Sequence, residues 1–408
     1  MDDKSGKPDN WLTRDALLLS LSAFFADTGY QAVAAVYPVL LVVYLRRPAY
    51  FYGLLLSGSY GIGSLFSLLG GKMGSSFSKK KLSIVGNALI PLMSLGVLFN
   101  SPIIMGLMFV FGWWARYFRT PTRRAWLVEV TDPAHRSKVF GFLHALDVGG
   151  GMIAVAYSIT LIILGFGLRS VVLVTIAPLI VSTLLLFFAG STPNKRFEAL
   201  SKVVDNDGAK PADRRLYKAV LLAATLFGFS YYSFGFPVVT ATESGHSPVF
   251  GILAFGLYLG VSSLAGYVFG SMQTKRMLTV LWAGGYIVAS LSSLVIGTSY
   301  LFGLGLPLYY VGAAGLGLAT GSVETFEPVV VSDLVSTKKL SSGLGWLSST
   351  RAAGLFVSNM AMGVLFTLDQ SSSYFYASAS SFAAAMVLFL ASKAYTAKKF
   401  HSFSGGNA

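Results

Sequence analysis

Long apolar segments follow one another along almost the whole chain. They lie near residues 15–44, 50–74, 82–99, 102–120, 139–165, 169–190, 216–240, 248–271, 277–297, 301–323, 341–367 and 372–395. A helix of about 20 apolar residues crosses a hydrocarbon layer of roughly 30 Å, and these segments are longer than the strands of a membrane barrel. Because backbone polar groups in lipid must be hydrogen-bonded, the pattern predicts an all-α membrane protein with twelve transmembrane helices.

The charged residues are few and lie mostly between the apolar segments. Only 12% of the 408 residues are charged, about half the share found in a soluble domain, which excludes a water-soluble fold. Lysine and arginine crowd alternate loops, and the other loops hold only Arg46, Arg47 and Arg169. The positive-inside rule therefore predicts a multi-pass protein of the cell membrane with both termini cytoplasmic. This topology explains the net charge of +14, so no nucleic-acid partner is expected.

Residue types and motifs needed for catalysis are scarce. The chain has no cysteine, which excludes disulfides, thiolate metal ligands and a cysteine nucleophile. It also lacks HExxH, nucleophile-elbow and Walker-type motifs, so neither an enzyme nor an ATP-driven pump is predicted, and no cofactor is expected. The hydrophilic start indicates that the first helix is a permanent span rather than a cleaved signal peptide.

A polar segment divides the chain into two halves of six helices each. Residues 191–215 are charged and rich in Asp, Gly and Pro, as in a solvated linker. We therefore expect a six-helix bundle at 1–190, a cytoplasmic linker at 191–215, and a second bundle with a short cytoplasmic tail at 216–408. A weak match of residues 136–150 to 338–352 favours two pseudo-symmetric bundles, as in transporters with parallel repeats. Two unrelated halves are the alternative.

Several motifs resemble those of the major facilitator superfamily. Residues 71–80 resemble the family's glycine and basic loop motif, although serines replace its acidic residue and its first basic residue. Asp27 followed by Pro38, and the arginine-rich stretch at 116–124, resemble export-type members of the drug/proton antiporter-like branch. The resemblance covers essentially the whole chain and implies two six-helix bundles.

The resemblance also implies a secondary transporter. Such proteins work by alternating access, and the export-type branch implies that a proton on Asp27 drives export of a small organic molecule by antiport. Uncoupled facilitated diffusion, divalent-metal export, and a receptor or scaffold without transport are the alternative hypotheses. A small-molecule substrate, protons and the lipid bilayer are the expected partners. The glycine spacings predict ordinary helix packing, so a monomer is expected.

Four charged residues are predicted to lie inside the membrane, where such groups are costly and usually functional. Asp27 lies about 20 Å along the first helix from Arg14, and it is interpreted either as a coupling or substrate residue or as a structural hydrogen-bonding group. Arg116 and Asp147 are at similar depth on consecutive helices, so an ion pair is expected, with gating or substrate binding as the alternative. Arg351 should pair with Asp27 in one conformation or meet an anionic substrate.

Aromatic side chains are frequent on the segments that line the central cavity in the superfamily. Tyr30, Trp113, Tyr232 and Tyr310 are candidates for the cavity wall, where aromatic faces suit planar or amphipathic substrates. Contact with lipid explains each of them equally well.

His144 lies one helical turn before Asp147, so the two side chains share a helix face. Together with Asp27 they would offer two carboxylates and an imidazole to a divalent metal ion, which resembles the ferroportin branch of the superfamily. This ligand set is kept as an alternative, and no resident metal is predicted. Glu324 and Glu327, near the end of the tenth segment, are interpreted as a solvated helix end or an inter-loop salt bridge, with a substrate site as the alternative.

Overall fold

The computed structural model describes residues 11–132, 135–190, 214–271, 277–335 and 340–404. In this part of the chain every regular element is helical, which confirms the all-α prediction. We number the elements in chain order: α1 Arg14–Tyr44, α2 Ala49–Gly74, α3 Lys79–Leu98, α4 Pro102–Glu129, α5 Arg136–Ile163, α6 Leu168–Phe188, α7 in two parts, Arg214–Gly228 and Gly235–Ser244, α8 Pro248–Ser271, α9 Met277–Leu301, α10 Leu306–Leu334, α11 Leu340–Leu368 and α12 Gln370–Ser404.

Within the described residues, ten helices are long and apolar enough to cross a membrane. The two remaining elements are α4 and α7. α4 has 28 residues, and its second half carries the arginines of the stretch 116–124. α7 is interrupted, which leaves parts of 15 and 10 residues. A charged half in one element and a break in the other therefore account for the difference from the twelve predicted spans.

The break in α7 is stabilised by α11. The backbone N–H of Ser233 donates to Oδ1 of the buried Asn359 at 2.9 Å. Gly228 ends the first part of α7 beside Gly354, where a Cβ on Gly354 would lie 2.5 Å from the Cα of Gly228. The side-chain oxygen of Asn359 thus accepts a hydrogen bond from a backbone N–H that the break leaves without a partner in the helix.

α4 and α10 extend beyond the apolar segments that predicted them. α4 continues to Glu129 rather than to residue 120, and α10 ends at Leu334 rather than at residue 323. Arginine, lysine and glutamate are good helix formers, so hydropathy underestimates a helix that continues beyond its apolar part. α10 begins at Leu306 because the preceding turn contains Gly303 and Gly305 with φ of 61° and 87°, a conformation that favours glycine.

The helices form two compact units by their contacts. Unit 1 consists of the described parts of Met1–Val33, Leu65–Ala154 and Val172–Asn206. Unit 2 consists of the described parts of Ala34–Ser64, Val155–Val171 and Asp207–Ala408. The predicted linker lies almost wholly outside the described residues, and the predicted domain boundaries stay a prediction.

Buried polar contacts set the rotation of α1 in unit 1. The hydroxyls of Ser22 and Ser182 lie 3.0 Å apart, and Nδ2 of Asn87 donates to the Ser182 hydroxyl at 3.1 Å. These bonds fix one face of α1 against α6 and join α6 to α3. Asp27 is five residues further along α1, about 140° around the helix, so the same rotation turns its side chain toward α4 and α5.

Candidate functional site

Three side chains of α1 and α4 form a hydrogen-bonded chain inside unit 1. Asp27 and Tyr30 are 5% and 3% exposed. The hydroxyl of Tyr30 donates to Oδ1 of Asp27, and Nη2 of Arg116 donates to the Tyr30 hydroxyl at 3.2 Å. Oδ2 of Asp27 is buried and has no hydrogen-bond partner. Tyr30 therefore links the carboxyl group to the guanidinium and leaves one carboxyl oxygen unsatisfied.

Aromatic rings surround the guanidinium of Arg116. Its central carbon lies 4.3 Å from the centre of the Tyr30 ring, 5.0 Å from that of Trp113 and 5.8 Å from that of Tyr117. Cation–π contacts of this kind contribute about 0.5–2 kcal/mol each. Tyr30 and Trp113, two of the predicted cavity residues, are thus buried against Arg116.

α5 approaches α1 closely at Asp27. A Cβ on Gly150 would lie 2.4 Å from the carbonyl oxygen of Phe24 and 3.0 Å from the Cβ of Asp27, so the contact requires glycine. Asp147, one turn before Gly150, is close enough for its carboxylate to repel that of Asp27. Its Oδ1 is buried without a hydrogen-bond partner. Two carboxyl groups therefore lie within each other's electrostatic field.

Two further arginines of α4 are buried in the same unit. Arg119 and Arg123 are 1% and 5% exposed, and Nε and Nη1 of each have no hydrogen-bond partner. Both lie close enough to Asp27 to interact with its charge. Together with Arg116 they set three cations against the carboxylates of Asp27 and Asp147. These five residues and Tyr30 are called the unit 1 cluster below.

The unit 1 cluster differs from the sequence predictions at two points. Arg116 bonds to Tyr30, and the predicted ion pair with Asp147 is not formed, because the phenol and the aromatic faces occupy the guanidinium. His144 is exposed, and no group of three or more His, Asp or Glu side chains in the described part of the chain is placed to hold a metal ion. The alternative metal set of Asp27, His144 and Asp147 is therefore not assembled.

Unit 2 contains an ion pair between α10 and α11. Glu327 is fully buried and accepts hydrogen bonds from Nη2 of Arg351 and from the hydroxyl of Tyr286, the latter at 2.6 Å. Glu327 does not lie at a solvated helix end, because α10 continues to Leu334 and places it inside the packed helices. Its salt bridge joins two helices rather than two loops. Glu327, rather than the predicted Asp27, is the carboxylate partner of Arg351.

A small, partly open pocket lies in unit 2. Its aromatic wall consists of Phe227, Tyr231, Tyr232, Phe234 and Tyr258. The rings of Phe234 and Tyr258 stack with centres 4.3 Å apart, and the hydroxyl of Tyr258 donates to Thr320 at 3.3 Å. The wall offers flat apolar faces edged by hydroxyl groups.

The remaining predicted residues lie in different places around this cavity. Tyr232 lines it, and its hydroxyl is 3.3 Å from that of Ser293. Tyr310 lies outside the lining residues, and its hydroxyl donates to the carbonyl oxygen of Phe250 at 3.2 Å. Glu324 is exposed and accepts a hydrogen bond from Tyr231 at 3.1 Å.

Sequence reasoning missed the burial of Arg119, Arg123 and Glu327. All three follow the apolar part of their helices, and hydropathy therefore assigned them to loops or helix ends. Spacing offered a signal for the arginines, because residues 116, 119 and 123 recur at intervals of three and four and so share one helix face. No comparable signal marked Glu327.

Comparison with known proteins agrees with this architecture. A crystal structure of a mutant of the nucleoside transporter NupG is similar with a TM-score of 0.74 at 13% identity, covering 92% of this chain and 99% of that one. The POT family transporter PepTSo gives 0.70 at 12% identity, covering 94% and 98%. A bacterial homolog to the human lysosomal transporter Spinster, in an inward-facing and occupied conformation, gives 0.67 at 14% identity, covering 95% and 98%.

At these identities the structural matches show the fold alone. No curated protein sequence matches this chain. The family model described as Major Facilitator Superfamily matches residues 19–326, which is more than half of the chain and includes the unit 1 cluster. The chain therefore belongs to the Major Facilitator Superfamily of multi-pass membrane transporters.

Proposed function

We propose that the protein is a proton-coupled secondary transporter of a small organic molecule, with Asp27 as the coupling residue. The observation that carries the proposal is the state of the Asp27 carboxyl group. It is 5% exposed, one oxygen is bonded to Tyr30, and the other has no partner. An acidic group kept at such a position in a membrane helix is costly unless it is paired, protonated or wetted, and it usually serves a function.

The unit 1 cluster gives proton exchange a mechanical consequence. With Asp27 ionised, the contacts from Asp27 through Tyr30 to Arg116 connect α1 to α4 by charge-assisted hydrogen bonds. A proton on Asp27 weakens this connection and also removes the repulsion from Asp147. Protonation therefore changes how α1 packs against α4 and α5. A ligand that binds one packing more tightly shifts the conformational equilibrium toward it, by as much as its affinities for the two packings differ. Alternating access requires such a bias.

The setting and direction of transport are further parts of the proposal. We propose a monomer in the cell membrane with both termini in the cytoplasm, which the distribution of lysine and arginine over the loops supports. The resemblance of α1 and α5 to export-type members supports export of the substrate. Export driven by an inward proton gradient requires that the proton and the substrate move in opposite directions.

Facilitated diffusion without protons is the second candidate function. The hydrogen bond from Tyr30 to Asp27 favours it, because a purely structural carboxyl group would make the same bond. Divalent-metal export has less support, since the three side chains that would hold the metal are not assembled in the described conformation.

Proton movement in sealed proteoliposomes tests the coupling. Candidate organic molecules are added one at a time, and internal pH is followed with an entrapped dye. We expect substrate-dependent proton flux in the wild type and none in Asp27→Asn, because the amide cannot exchange a proton. Asp369→Asn is the matched control, since Asp369 lies outside the unit 1 cluster and caps the backbone N–H of Ser372 at 2.7 Å, a role that Asn also fills.

The outcomes separate the two candidate functions. Substrate flux that carries no proton signal in the wild type would discard coupling and support facilitated diffusion. Proton flux that persists in Asp27→Asn would remove Asp27 from the mechanism. The sign of the pH change reports whether the proton and the substrate move in the same or in opposite directions.

A further inference from the structure

We infer that the unit 1 cluster binds an anionic group, a carboxylate or a phosphate, at Arg119 and Arg123. The inference keeps the proton-coupled transport proposed above and names its substrate class, but it replaces the opposite movement of proton and substrate by movement in the same direction. It rests on that function only for the step from binding to transport. Its arguments are the charge balance of the cluster, the unused donors of two arginines, and the packing that holds one of them in place.

Charge balance is the first argument. The charged groups that face Asp27 from α4 and α5 are Arg116, Arg119, Arg123 and Asp147. Their sum with Asp27 is +1 when both carboxyl groups are ionised and +2 when one carries a proton. Arg124 of α4, which interacts with Asp147, adds a further positive charge at the edge of the cluster. Excess charge buried away from water is strongly unfavourable unless an opposite charge is bound. An anion is the ligand that balances this cluster.

The unused donors are the second argument. Nε and Nη1 of both Arg119 and Arg123 are buried without a hydrogen-bond partner, and residues four apart on a helix are neighbours on its surface. The guanidinium group is planar, always charged, and matched in geometry to the oxygens of carboxylate and phosphate. Arg116 is less available to a ligand, because its Nη2 donates to Tyr30 and aromatic rings surround it, although its Nε is also buried without a partner.

The packing of Arg119 is the third argument. A Cβ on Gly86 of α3 would lie 2.9 Å from the Cβ of Arg119, so the α3 backbone presses against the base of this side chain. The hydroxyl of Ser83 donates to that of Thr122 at 3.0 Å, which fixes α3 against α4 at the same level. A donor whose stem is already held in place loses less conformational freedom when it binds a ligand.

The anion and the proton are expected to bind together. Ionised Asp27 is a negative charge that competes with an external anion for Arg119 and Arg123, and a proton removes this competition. By thermodynamic linkage, a bound anion then raises the affinity for the proton by the same factor. An anionic substrate would therefore move in the same direction as the proton. Movement of the proton and the substrate in the same direction would replace the proton-driven export that the resemblance of α1 and α5 supports.

Anion binding is measured on the full-length protein in detergent through its thermal unfolding temperature. Acetate or inorganic phosphate replaces chloride at constant ionic strength, and acetamide serves as the uncharged counterpart of acetate. We expect acetate or phosphate, but not acetamide, to stabilise the wild type. Arg119→Gln and Arg123→Gln should each weaken the apparent affinity about tenfold or more, as expected for the loss of hydrogen bonds to a charged group. Asp27→Asn should tighten it.

Lys81→Gln is the matched control. Lys81 is exposed on α3, and the substitution also removes one positive charge, so the anion-dependent stabilisation should remain. Stabilisation that is equal in the wild type, Arg119→Gln and Arg123→Gln would overturn the inference. Where a glutamine variant does not fold, the corresponding lysine variant keeps the charge, loses the planar donor set, and should still show the weakened affinity.

Two further comparisons identify the source of the anionic group. Uptake of labelled acetate into proteoliposomes that is lost in Arg119→Gln would assign the group to a transported substrate. Stabilisation by phosphate with no effect of acetate would support the anion site with phosphate as the bound group and rule out a carboxylate. Stabilisation by anions without any proton flux would keep the anion site and reject the coupling proposed at Asp27. Proton flux without anion stabilisation would keep the coupling and reject the anion site.

Discussion

At the scale of single residues, the buried arginines have three different kinds of surroundings. Arg351 is paired with a carboxylate, that of Glu327, whereas Arg116 is held by aromatic faces and a phenol hydroxyl. Arg119 and Arg123 have neither kind of partner at Nε and Nη1. A paired buried charge mainly fixes structure, whereas an unpaired one is costly and remains available for a ligand. The surroundings thus separate the structural arginine of unit 2 from the candidate ligand-binding arginines of unit 1.

The Glu327 to Arg351 ion pair should be a stability determinant. Glu327→Gln is expected to lower the free energy of unfolding by about 1–3 kcal/mol, because it leaves the guanidinium facing a neutral amide in a desolvated place. The Arg351 side chain is 22% exposed, which keeps the expected loss below that of a fully buried pair. Thermal unfolding in detergent measures the effect.

A double-substitution cycle separates the pair from its surroundings. Glu327→Gln combined with Arg351→Gln should cost clearly less than the sum of the two single substitutions, because the second change removes the charge that the first leaves unpaired. Asp369→Asn, on an exposed residue of unit 2 that caps the backbone N–H of Ser372, is the control with little expected effect. Additive costs for Glu327 and Arg351 would show that the ion pair does not contribute to stability.

At the scale of helices, the apolar pattern predicted nearly all spans to within a few residues, because lipid allows hardly any other backbone conformation. It failed where charge and helix coincide, in the second half of α4 and at the end of α10. For the same reason, the apolar pattern did not reveal that some charged residues of the site are buried. Asp27 and Arg116 were found because their depth follows from distance along the helix, whereas the burial of Arg119 and Glu327 depends on helix length and rotation, which tertiary contacts decide.

The contact between α7 and α11 yields a prediction at this scale. Gly354→Ala would place a Cβ 2.5 Å from the Cα of Gly228. Backbone cannot move aside as a side chain can, so α11 must shift away from the break in α7, at an expected cost of about 1–3 kcal/mol. A lower unfolding temperature and slower substrate flux would report this shift.

Gly270→Ala is the matched control for Gly354→Ala. A Cβ at Gly270 in α8 meets nothing within 4 Å, so the change should stabilise the helix slightly, by up to about 1 kcal/mol. Equal unfolding temperatures for the two alanine variants would contradict a close and necessary contact at Gly354.

At the scale of the whole molecule, the family membership fixes the architecture and leaves the orientation in the membrane to the charges of the loops. Positive residues oppose translocation, so the loops that carry them stay in the cytoplasm. The loop between α2 and α3 is followed by Lys79, Lys80 and Lys81, whereas the loop between α1 and α2 holds only Arg46 and Arg47. The two loops therefore should lie on opposite sides of the membrane.

The absence of cysteine from the chain makes this orientation directly measurable, because a single introduced cysteine is the only thiol. Arg46 and Lys81 are both exposed, so Arg46→Cys and Lys81→Cys form a matched pair in which each removes one cation. A membrane-impermeant maleimide should label Arg46→Cys in intact cells and Lys81→Cys only after permeabilisation. The reverse pattern would invert the topology, and with it the side from which Asp27 receives its proton. Labelling of both in intact cells would place the two loops on one side, which a continuous α2 crossing the membrane does not permit.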